Sequence, residues 1–113
     1  IWELVLHMTA WKNETRRRLG GAPAGEPAEG DWPRPAGHDA DRWREALDAL
    51  GEAHRALMAA ARQVPEAQLF ASTNDPRNLE TGEGVTFYAL LHGIVQHDVY
   101  HAGQIALLKK GRS

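Results

Sequence analysis

The chain has 113 residues, 42% hydrophobic and 25% charged, with a formal net charge of −2 and a pI near 6.3. That balance fits one soluble domain able to bury a modest core, and gives no electrostatic case for nucleic acid or an anionic membrane. Cysteine is absent, which excludes disulfides, thiolate ligands and a cysteine nucleophile and is compatible with a reducing cytoplasm.

Residues 1 to 19 place Ile1, Leu4, Val5, Met8 and Trp11 at the spacing of an amphipathic helix. Arg16, Arg17 and Arg18 close it, followed by Gly20 and Gly21. Cations suit the negative end of a helix dipole and glycine suits a left-handed cap. A nucleic-acid patch is the alternative for the three arginines, but no wider basic field supports it. The pattern is already helical at Ile1, so the natural protein is expected to continue amino-terminally. No apolar run reaches the roughly 18 residues of a membrane span, and no signal segment opens the chain.

Residues 20 to 38 hold five glycines and four prolines and read as a surface connection, with Trp32 folding back onto the bundle. Asp39 or Asp41 caps a second helix running to about Gln63, whose apolar stripe is Trp43, Ala46, Leu47, Leu50, Leu57, Met58 and Ala61. Pro65 starts a short helix through Phe70. Residues 71 to 84 form a polar loop, and a last helix runs from about Val85 to Lys110, with Gly111 as its stop. No segment alternates like a strand, and the expected class is all-α.

Phe87, Leu90, Leu91, Ile94, Ile105 and Leu108 define the buried stripe of the last helix. Extending it from Leu90 and Ile94 by seven residues lands on His97 and His101. Four residues apart, these imidazoles share one face and can bind one metal ion. His7 lies three residues after Leu4 and four before Trp11, on the inward stripe of the first helix. Three inward histidines are costly buried polar groups unless something binds them, and a metal accounts for all three.

His54 falls on a stripe between Leu50 and Leu57, either as a hydrogen-bonded pocket residue or as a fourth ligand. His92 points well away from the His97–His101 row, and His38 sits in a loop. Gly93, one turn before His97, leaves room for a ligand or for a close helix approach. Gln104 can hydrogen-bond a bound water or substrate. Asp98 can orient an imidazole from another helix or serve as a packing contact.

The segments "HGIVQHDVYHAGQIALLKK" and "WELVLHMTAWKNETRRRLGG", with "DRWREALDALGEAHRALMAAARQVPEAQL" between them, resemble the DinB/YfiT-like superfamily of metal-dependent enzymes. The resemblance implies an up-down-down-up four-helix bundle and a divalent metal, zinc or nickel most often. It assigns the ligands to His7, His97 and His101. It also implies a homodimer acting on a small-molecule substrate, either as a transferase using a low-molecular-weight thiol or as a hydrolase; the expected location is cytoplasmic. The family's first helix has no counterpart here, so an apolar face is expected to await a second chain or further residues. A non-enzymatic binding protein with a structural metal is the rival class, distinguished by a saturated or inaccessible metal.

Overall fold

The computed structural model describes residues 1–75 and 85–111. Among them are three long helices, α1 (Trp2–Leu19), α2 (Ala40–Gln63) and α3 (Phe87–Lys110), and one 3₁₀ turn, Glu66–Gln68. No strand occurs among the described residues; the one sheet-like pairing there is an isolated bridge between Ser72 and Thr86. The expected all-α class is observed. Most of the polar loop expected over residues 71 to 84 lies outside the described residues.

Local chemistry fixes the helix ends. Asp39 caps α2 by accepting from the Arg42 backbone N–H at 2.8 Å, and the Thr86 hydroxyl caps α3 by accepting from Ala89 N–H at 3.0 Å. Pro65 stands just before the 3₁₀ turn, and in place of the short helix expected through Phe70 there is only this three-residue turn, ending at Gln68. Backbone bonds from Thr73 N–H to Val85, Phe87 N–H to Ala71 and Tyr88 N–H to Leu69 tie this connection to the start of α3.

The hub is α1, which packs against both α2 and α3. It buries Leu4, Val5, His7, Met8, Ala10, Lys12, Glu14 and Thr15, positions spread around the helical wheel rather than confined to one stripe. A helix flanked on two sides loses the amphipathic contrast of a surface helix. By contrast α2 buries Ala46, Ala53 and Leu57, and α3 buries Ile94 and His101. Leu47, Met58 and Leu108, expected inside, are exposed, because α2 and α3 each meet α1 along a strip narrower than their apolar stripes. Val95, Val99, Tyr100 and Leu107 on α3 are exposed as well. None of the described helices is long and apolar enough to cross a membrane.

Two acidic–basic clusters pin the core charges. Glu14, 2% exposed, accepts from Arg17 Nε and Nη2 at 2.8 Å each and from Arg18 Nε at 2.6 Å. Burial pushes this carboxyl up, but the bonds from Arg17, Arg18 and the Gly25 backbone outweigh it and hold the group below the usual carboxylate range. The same arginines donate to the carbonyls of Pro23 and Gly25, so the helix-end cations anchor the following connection to α1. Lys12, 3% exposed, forms an ion pair with Asp98 across the α1–α3 seam and donates to His54 Nδ1 at 3.2 Å.

Candidate metal centre

His7 projects from α1 and His97 and His101 from successive turns of α3, and the three rings meet in the seam between these helices. His7 and His101 are each 5% exposed, and His97 is partly buried. The Nε2 atom of His97 stands 2.9 Å from Nε2 of His7 and 3.1 Å from Nε2 of His101.

The outward nitrogens set the tautomers. Nδ1 of His7 is 2.5 Å from the Asp31 backbone carbonyl, which can only accept, so Nδ1 carries the proton and a neutral His7 presents a lone pair at Nε2. Nδ1 of His101 donates in the same way to Gln104 Oε1 at 2.6 Å. His97 has the complementary pair still apart: its Nδ1 and Asp98 Oδ1 are both buried without a partner, 3.9 Å from each other. A proton on His97 Nε2 can serve one neighbouring lone pair. A cation at the common focus serves all three.

Dimensions agree with that cation. Imidazole nitrogens bound tetrahedrally at about 2.0–2.1 Å stand about 3.3 Å from one another, within a few tenths of the two separations here. Burial is the first cause pushing the His97 imidazole below its ordinary pKa, and the neighbouring His101 and His7 push it further down. A neutral ring is the form that ligates.

The connection between α1 and α2 closes the site. Gly30 adopts φ +92°, a left-handed conformation costly for other residues, just before Asp31 and the half-exposed Trp32, which lie over His7. The Trp32 indole stacks on the His7 ring at 3.8 Å and 9°, and meets His101 edge-on at 6.0 Å. Trp11 Nε1 donates to Asp31 Oδ1 at 2.7 Å, holding the turn against α1.

Of the other candidates, Gln104 engages His101 and Asp98 faces His97. Gly93 lines a groove that ends on His97. His54 is an exposed residue bonded to Lys12 and lies outside the cluster. His92 is exposed and stacks on Tyr88, while His38 packs edge-on against Trp2. Sequence reasoning overlooked Lys12 and Asp31. A lysine one residue after an inward Trp11 carries no signal of burial, and the group Asp31 offers His7 is a backbone carbonyl that any residue possesses.

A family model described as the DinB superfamily matches residues 1–105. No curated protein and no solved structure matches the chain.

Proposed function

Because the chain belongs to the DinB superfamily, we propose that His7, His97 and His101 hold one divalent metal ion in an enzyme that attacks small electrophilic molecules with an external thiol or with water. The observation that carries this is the convergence of three imidazoles, each offering one nitrogen within 4.8 Å of the others, with Nδ1 of His7 and of His101 committed elsewhere. Neutral imidazole suits zinc and nickel alike. When bound, such an ion supplies Lewis acidity that lowers the pKa of a water or thiol and makes a nucleophile available near neutral pH.

The chain's own groups do the positioning. The Asp31 carbonyl and Gln104 keep His7 and His101 in the ligating tautomer, and Asp98, paired with Lys12, faces the outward nitrogen of His97. Three protein ligands leave a coordination position, the pattern of catalytic rather than structural sites. Since the chain has no cysteine, any attacking thiol comes from outside it. Exposed Val95, Val99 and Leu107 on α3 favour self-association, and the proposal includes a homodimer.

Turnover of a chloro-nitroaromatic electrophile by metal-loaded protein, with and without a panel of low-molecular-weight thiols, tests the activity. Thiol-dependent turnover assigns transfer, and thiol-independent turnover assigns hydrolysis. No turnover of any electrophile by fully metallated protein would overturn the enzymatic proposal in favour of a structural metal.

A further inference from the structure

A groove runs along the α1–α3 seam away from the histidines. Its inner end is His97, its α1 wall is Trp11, Thr15 and Arg18, and its α3 wall includes Ala89, Leu90 and Gly93. The two helices run in opposite directions, His7 meeting His101 and Trp11 meeting His97, so steps from Trp11 to Arg18 on one pair with steps from His97 back to Ala89 on the other. Seven residues of helix make the groove about 10 Å long.

Its volume is about 240 Å³, below the roughly 300–1,000 Å³ of sites for drug-sized ligands, so it takes a fragment rather than a large molecule. A Cβ built on Gly93 would meet nothing within 4 Å, so the missing side chain opens the groove rather than permitting close helix packing. The polar wall is partly committed: Arg18 donates to Glu14 and to the Gly25 carbonyl, and its guanidinium lies 5.6 Å from the centre of the Trp11 ring. What remains open is mainly indole and aliphatic surface leading to a histidine. A larger groove of about 780 Å³, around Trp2, Trp43 and Ile105, touches none of the three histidines.

We infer that this groove is the specificity pocket of the site, taking a small aryl or alkyl group whose polar, metal-directed end lies at His97. The inference rests on the proposed metal centre and adds the class of molecule it accepts. An aryl group desolvated between Trp11 and Leu90 gains affinity from apolar burial, whereas a methyl group in its place leaves most of the groove to water.

Two hydroxamates that share a metal-binding head separate the two claims. Calorimetric titration of zinc-loaded protein should find benzohydroxamate at least tenfold tighter than acetohydroxamate. Gly93→Leu, which places its side chain in the open space, should bring the two within twofold of each other. Metal content and acetohydroxamate affinity should stay unchanged. Ala89→Leu, one turn earlier on the same wall at an exposed position, provides an independent block and should have the same effect. Equal affinities in the wild type, or an aryl preference surviving both variants, would overturn the pocket while leaving the metal centre intact. Failure of acetohydroxamate itself to bind zinc-loaded protein would overturn the open coordination position of the proposed enzyme, and the pocket with it.

Discussion

Replacing Lys12 by Met removes a buried charge while keeping most of the stem that packs in the seam. Lys12 is 3% exposed, and its ammonium pairs with Asp98 Oδ2, whose other oxygen already has no partner. Taking one member from a fully buried ion pair costs about 3–5 kcal/mol. The Asp98 side chain keeps 27% exposure, so water relieves part of that cost and the expected loss is about 2–3 kcal/mol. Removing both charges, in Lys12→Met/Asp98→Leu, should return stability to within about 1 kcal/mol of wild type, since no charge is then left unpaired. Urea unfolding of metal-free protein, followed by far-UV circular dichroism, measures both values. Metal affinity should move differently: the stable double variant still lacks the carboxylate facing His97 and should bind zinc about 10–100-fold more weakly. A single-variant loss below about 0.5 kcal/mol, or a double variant no better than the single, would refute the buried-pair account.

Stability should be flat above the ordinary imidazole pKa and decline as pH falls below it, because the unfolded chain takes a proton that folded His97 resists, until the lower folded pKa is reached. His97→Gln should reduce that slope in a series of urea midpoints between pH 5 and 7.5. Glu14, whose folded pKa is lowered, contributes stability above its unfolded value that is lost as pH falls through the folded one. Glu14→Gln should therefore flatten the acid limb, seen when the urea midpoints are extended well below the ordinary carboxylate pKa, and lower neutral-pH stability by about 1–3 kcal/mol. Trp32→Ala uncovers the His7 ring and should speed zinc loss to a chelator several-fold, with secondary structure unchanged by circular dichroism.

Helices were legible because apolar spacing is a local signal: α1, α2 and α3 fall within two residues of the expected bounds. The same signal overstated burial at Leu47, Met58 and Leu108, since a stripe records which side faces inward but not how wide its partner is. The meeting of His7 with His97 and His101 could be anticipated because all three sit at stripe positions where apolar residues pack better. Charged residues on a helix read as solvated by default, which hid the burial of Lys12 and Glu14. Their inward placement depends on partners, one of them 86 positions away at Asp98 and the others within one turn at Arg17 and Arg18. Trp32 left a trace, as a large aromatic isolated among prolines and glycines, but the ring it covers could be identified only in three dimensions.

Cobalt titration is the most direct measurement of the central claim, because cobalt substitutes for zinc and reports its coordination in visible absorption. The account predicts saturation at one ion per chain, a spectrum of histidine ligation that shifts when an exogenous thiol is added, and loss of that binding in His7→Ala, His97→Ala and His101→Ala. His54→Ala, which lies outside the cluster, should bind as the wild type does. Stoichiometric binding with an unchanged spectrum in His7→Ala or His101→Ala would contradict it.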